Sequence, residues 1–309
     1  MHSIAFAATV FALAGSAPAC CMVPKDYAGG IGQSGQKALL IHDQGREELI
    51  LGIDYRITPS IAAAEGNTKP DVSAAAAMPP NFVWVITVPS EPDRYAVADL
   101  ALFDDLSKLT AELLPPPPRD QSDGRLITAS VPQGIELGKR VQVGPYDIQP
   151  VRARGREALE GLNTWLAANG FPTEDPGHMA YFVDRQFTFL CVKVKPAEGE
   201  SGVRPGGAIP PLHLSFASER PYYPLKFSSR QGVFDVNLWV LTRGEGSLLK
   251  QSNNTELFDR LNGRLIVSTS LENSRLPERV RTILAEASIN GSAAADKNDG
   301  RWNFALLRC

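Results

Sequence analysis

The chain returns repeatedly to one device: a short run rich in β-branched and aromatic residues, bounded by glycine, proline or aspartate. Lys37–Asp43, Glu47–Thr58, Asn81–Val88, Lys139–Val143, Gln186–Val194, Leu212–Ser218 and Asp235–Thr242 all have this form. Runs this short bury their apolar side chains by pairing into sheets, so they restrict the chain to a strand-rich fold. Glu47–Thr58 alternates well, with Leu49, Leu51, Ile53 and Tyr55 on one side and Ile50, Gly52 and Asp54 on the other. With Lys37–Asp43 and the intervening Gln44-Gly45-Arg46 it reads as a hairpin. Asn81–Val88 is β-branched and aromatic, stopped by Pro89 and Pro92. Further strands are expected at Arg125–Val131, Asp147–Arg152, Tyr223–Ser229, Arg264–Ser270 and Arg301–Leu307.

Helical spacing interrupts this pattern. Over Asp99–Leu114, apolar residues recur at three or four (Leu100, Phe103, Leu106, Leu109, Leu113) until Pro115–Pro118 stops the helix. Arg156–Asn169 is the clearest helix: Leu159, Leu162 and Trp165/Leu166 make its stripe, Gly170 suits a left-handed cap, and Pro172 prevents continuation. Shorter helices are expected at Thr255–Leu261 and Pro277–Ala287. Residues 60–80 are alanine-rich and aperiodic, and read as a surface insertion. Glu198–Gly207 reads as a low-complexity turn. The fold class is therefore α+β, strand-rich, with mainly antiparallel sheets and two to four helices.

The N-terminus speaks to location. Ile4–Ala14 is an uncharged apolar run followed by Gly15-Ser16-Ala17-Pro18-Ala19, the order of a secretory signal with an Ala-x-Ala cleavage site. It is shorter than the roughly 20 residues a membrane-spanning helix needs, and no other window approaches that length. Residues 1–19 are therefore expected to be a signal peptide, and the product to be periplasmic or extracellular with no transmembrane segment. A lipid on Cys20 is an alternative, although Ala17 stands where a lipidation motif usually has leucine. The four cysteines, Cys20, Cys21, Cys191 and Cys309, allow three disulfide connectivities in an oxidising compartment. Two of these clip the N-terminal pair to Cys191 and Cys309; the third is the vicinal Cys20–Cys21 bond. A soft-metal reading of Cys20, Cys21 and Met22 lacks a nearby histidine or a second CxxC.

No catalytic pattern stands out. Gly32-Gln33-Ser34-Gly35 is not a nucleophile elbow and reads as a glycine turn. His42, His178 and His213 are the possible bases in the mature chain, and none has a metal partner at ligand spacing. Asp104-Asp105 reads as a solvated helix surface, because adjacent helical residues do not face one another. Gly29-Gly30-Ile31-Gly32 lacks the Lys-Ser/Thr of a phosphate loop. Trp84 and Trp239 lie in apolar strands and read as core; on a shared exposed face they would suggest a carbohydrate or peptide surface. The net charge of −3 gives no basic face for nucleic acid. No cofactor is expected.

An ordered set of motifs resembles the bacterial exported family catalogued as domain of unknown function 2330. It comprises Cys20-Cys21-Met22-Val23-Pro24, the hairpin, Phe82 to Ser90, Leu102 to Leu106, Val143 to Asp147, the helix with Trp165-Leu166 and Asn169-Gly170-Phe171, and the Arg220-Pro221 to Pro224 turn before a strand ending Trp239-Val240-Leu241. The resemblance covers roughly residues 20–245, leaves 246–309 as a C-terminal extension packed on that domain, and implies export without supplying an activity. The expectation is an exported protein that binds a protein or glycan partner or serves a structural role in the envelope. An envelope hydrolase, or a protein handling redox chemistry or metal through its cysteines, is the alternative.

Overall fold

Gln44 and Gly45 turn the hairpin, with φ of 47° and 77°. Two successive positive values are what a tight turn between right-twisted strands requires. In the computed structural model, residues 20–58, 78–114, 133–155, 157–200, 202–230, 233–243, 264–289 and 300–308 are described. The leader, the alanine-rich segment up to residue 77, the strand expected at 125–131, the helix expected at 255–261 and Cys309 lie outside the described residues.

In chain order the elements are β1 (Cys21–Met22), β2 (Gly30–Asp43), β3 (Arg46–Thr58), β4 (Phe82–Val88), β5 (Arg94–Val97), α1 (Leu102–Leu113), β6 (Gln133–Leu137), β7 (Val141–Val143), β8 (Tyr146–Gly155), α2 (Glu157–Ala168), α3 (Pro176–Asp184), β9 (Thr188–Val194), β10 (Gly206–Ala208), β11 (Leu212–Ala217), the single turn α4 (Leu225–Ser228), β12 (Asp235–Thr242), β13 (Arg264–Glu272), α5 (Glu278–Ile289) and β14 (Arg301–Arg308). They form two sheets. The smaller runs β1-β4-β9-β8-β6, with β7 also on β8; the larger runs β13-β14-β12-β2-β3-β11-β5, with β10 on β3. Among the described residues every pairing is antiparallel except β12 with β2. The α+β class with mainly antiparallel sheets is as the sequence indicates. The strands after residue 245 continue the larger sheet through β14 on β12.

Side-chain parity fixes the layers. The Tyr55 ring of β3 lies 4.9 Å from Phe82 of β4, so the Phe82 face of the smaller sheet meets the larger sheet. Phe189 of β9 pairs with Thr87 and packs on Phe182 of α3. Phe82 and Thr87 are an odd number of residues apart on one strand, so they face opposite ways. The smaller sheet is thus covered by the larger sheet on one face and by helix on the other. With both faces covered, β4 is buried along its whole length, which explains its continuous apolar run. The larger sheet divides its residues in the same way. Ala38, Leu40, Leu49 and Leu51 enter the inter-sheet core. Leu39, Ile41 and Ile50 enter a second core with Leu102, Phe103 and Leu106 of α1 and Val280, Ile283 and Leu284 of α5. The order is helix, sheet, sheet, helix.

Local signals account for the helix ends. Phe171 N–H reaches back to the Leu166 carbonyl at 2.9 Å, and Gly170 takes φ 80°, closing α2 as its residues predict. Asp175 caps α3 through the His178 amide, with Pro176 at the first turn. Three expectations need correction. Gly32 to Gly35 is no turn: it lies within β2, with a bulge between Gln33 and Gly35 opposite β3. Tyr223–Ser229 is not a strand, because Pro224 and the one-turn α4 occupy it. Leu100 is exposed, and Leu102 takes its place in the core.

Candidate functional site

The strand β3 opens Arg46-Glu47-Glu48, and alternation sends the two carboxylates to opposite faces of the sheet. Glu48 goes to the helix-covered face with Ile50. There its Oε2 lies 2.8 Å from His213 Nε2, and its Oε1 accepts from Ser215 Oγ at 2.8 Å. Ser215 stands directly opposite Glu48 in the register, and His213 is two residues along the same face of β11. Arg46 Nη2 donates to Ser215 Oγ at 2.9 Å and to Asp93 Oδ1 at 2.7 Å. On the next strand Arg94, opposite Ser215, pairs with Glu286 of α5. The seam ties three strands to a helix. The Glu48 and His213 side chains are only 5% and 3% exposed. The serine hydroxyl donates to the carboxylate and not to the imidazole, so His213 is not placed to activate Ser215 as a general base.

Glu47 takes the inter-sheet face and is wholly buried. Its Oε2 accepts from the Tyr222 amide at 2.8 Å, its Oε1 has no hydrogen-bond partner, and burial pushes its carboxyl well above the usual range. A third buried carboxyl, Glu174, lies just before α3. Asn163 clamps its backbone through both amide atoms, at 2.7 and 2.9 Å. Its Oε1 is also unpartnered, and burial pushes its pKa up to about 8 despite Arg230 4.0 Å away. His178, in the first turn of α3, lies 3.0 Å through Nε2 from the Phe227 carbonyl, and burial lowers its pKa.

The cysteines are also interior. Cys20, Cys21 and Cys191 are each 0% exposed. Cys20 Sγ donates to Gln33 Oε1 at 3.2 Å and lies 3.9 Å from Cys21 Sγ, well beyond the ~2.05 Å of a disulfide. The expected clip to Cys191 is not made. Val85 N–H bonds the Cys20 carbonyl on one side of β4, and Val85 pairs with Cys191 on the other. Cys21 and Cys191 are likewise separated by β4, since Cys21 pairs with Trp84. Two strand spacings are about 9.6 Å, outside the reach of a disulfide.

The remaining candidates are scattered. Ser34 Oγ donates to the Asp54 carbonyl at 3.3 Å, and His42 Nε2 lies 2.8 Å from the Ser218 carbonyl on the same hairpin's other end. Asp104 is exposed, but Asp105 is not simply solvated: Arg279 of α5 bridges it at 2.5 Å and Asp99 at 2.7 Å. Trp84 and Trp239 are buried in different cores, and Trp239 Nε1 donates to Thr110 Oγ1 at 2.9 Å. Among the described residues no three His, Cys, Asp or Glu side chains are grouped to hold a metal ion. Sequence reasoning missed Glu47, Glu48 and Glu174. The first two were discoverable: adjacent acids entering a strand covered on both faces must both be buried.

A family model described as an uncharacterized protein conserved in bacteria, DUF2330, matches residues 69–257. No curated protein and no solved structure matches the chain.

Proposed function

The chain belongs to the DUF2330 family of uncharacterized bacterial proteins, and from that premise we propose that it works outside the cytoplasm as a non-catalytic binding or structural protein of the cell envelope. The apolar Ile4–Ala14 run with Ala17-Pro18-Ala19 behind it supports export. Among the described residues no helix is long and apolar enough to cross a membrane. Cys20, enclosed and bonded to Gln33, supports an untethered product, because a thioether-linked lipid would have no room there.

One observation carries the non-catalytic reading. The arrangement closest to hydrolase chemistry, Glu48–His213–Ser215, is sealed between the larger sheet and its helices, and its hydrogen bonds run through the carboxylate. A substrate would have to enter a packed layer to reach it. Trp84 and Trp239 are buried and offer no platform for a sugar. The test pairs a fluorophosphonate probe with affinity capture from envelope extract. The proposal expects the probe to leave the native protein unlabelled and an envelope component to be retained. Stoichiometric labelling of Ser215 would overturn it.

A further inference from the structure

We propose that Cys20 and Cys21 are a redox-active dithiol that closes to a vicinal disulfide, and that closure releases β1 from the smaller sheet. The proposal goes beyond the envelope reading and does not depend on it, since it concerns the isolated protein.

Three observations carry it. First, the Sγ atoms are 3.9 Å apart, and the strand order puts Cys191 out of reach of both. Secondly, both side chains are enclosed, Cys20 against Gln33, and burial pushes the Cys21 thiol up and disfavours its thiolate. A metal ion would need thiolates there, and no third ligand group stands beside them among the described residues. A disulfide leaves the site uncharged, so it is the chemistry the surroundings tolerate. Thirdly, β1 is two residues long and, among the described residues, lies at the sheet edge and pairs with β4 alone. Access for an oxidant then needs only the local opening of this two-residue element, with the rest of the sheet left paired.

The reaction is thiol–disulfide exchange with a small disulfide oxidant. The thiolate of one cysteine attacks the oxidant, one thiol leaves, and the second cysteine displaces the other from the mixed disulfide. Two S–H bonds are lost, one S–S bond forms, and the oxidant departs as two thiols carrying the protons and electrons. Cys20 lies in a bend just ahead of β1 with its Sγ 3.9 Å from that of Cys21, and drawing the two sulfurs in to the ~2.05 Å of a disulfide bends the backbone between them further. That bend is incompatible with the Val85 N–H to Cys20 carbonyl bond and with the pairing of Cys21 to Trp84 and Met22 to Val83. Oxidation therefore undocks β1, withdraws buried Met22 and uncovers Trp84.

The experiment treats the reduced, purified chain with oxidised glutathione, blocks remaining thiols with N-ethylmaleimide under denaturing conditions, and maps the peptides by mass. The expected result is a Cys20–Cys21 peptide two hydrogens lighter and unlabelled, with red-shifted tryptophan emission and faster amide exchange at Val85. The emission change should vanish in Trp84→Phe and in Cys20→Ser, and persist in Cys191→Ser. Full labelling of both cysteines after oxidation, or linkage of either to Cys191 or Cys309, overturns the proposal. A vicinal bond that leaves Val85 exchange unchanged overturns the release of β1. The mapping needs no variant, so it decides even if a substituted chain fails to fold.

Discussion

Glu48 and His213 meet across neighbouring strands of the larger sheet, Oε2 to Nε2 at 2.8 Å, with Ser215 holding the carboxylate's other oxygen and all three residues buried. The pair owes its position to the register of β3 with β11, which puts Ser215 opposite Glu48. Removing one partner of such a pair strands the other's polar group where water cannot replace it.

His213→Ala should therefore destabilise the protein by roughly 1–3 kcal/mol, the usual cost of leaving a buried polar group without its hydrogen-bond partner. Replacing both, as in Glu48→Leu with His213→Leu, should cost less than the sum of the single changes. Urea denaturation monitored by circular dichroism measures both. Strictly additive losses would show that the two residues do not depend on each other.

Buried Glu174 makes stability depend on pH. In the unfolded chain its carboxyl ionises near the ordinary 4.5; in the folded chain it does so near 8. Between these values the unfolded state binds fewer protons than the folded one, so stability falls as pH rises through that window and levels off above it. Glu174→Gln removes this contribution. Relative to wild type, the variant should gain stability progressively from pH 4.5 to 8, by up to a few kcal/mol. Glu47, also pushed up by burial, remains in both proteins and cancels in the comparison. Parallel stability–pH curves for the two would contradict the assignment.

Gly52 of β3 leaves room for α1. A Cβ there would come 2.8 Å from Cε2 of Phe103, whose ring is stacked 5.8 Å from Trp239 in the helix-side core. Gly52→Ala should cost about 1–3 kcal/mol through overpacking. Gly52→Ala with Phe103→Leu should recover part of that loss in thermal denaturation. A neutral Gly52→Ala would mean that α1 is not pressed against this strand.

Much of this was legible in the residues. The hairpin, the α2 cap at Gly170 and the strands β4, β11 and β12 follow from alternation and turn chemistry, which act over a few neighbours. What was not legible depends on register. Nothing local says that Glu48 will face His213 165 residues later, or that Val85 will separate Cys20 from Cys191. Tyr223–Ser229 has strand-like composition, but Pro224 and the packing of Phe227 on Phe182 and Phe189 make it a turn of helix. Asp175-Pro176 was a readable helix start that the strand-rich surroundings obscured.

On the proposed reading this chain matures by export and folds with its thiol pair inside. Intact mass of the protein recovered from the extracytoplasmic fraction of its native host tests this most directly. The expected product is a polypeptide that begins at Cys20 and carries no lipid. A protein that still begins at Met1 and fractionates with cytosolic markers would contradict it.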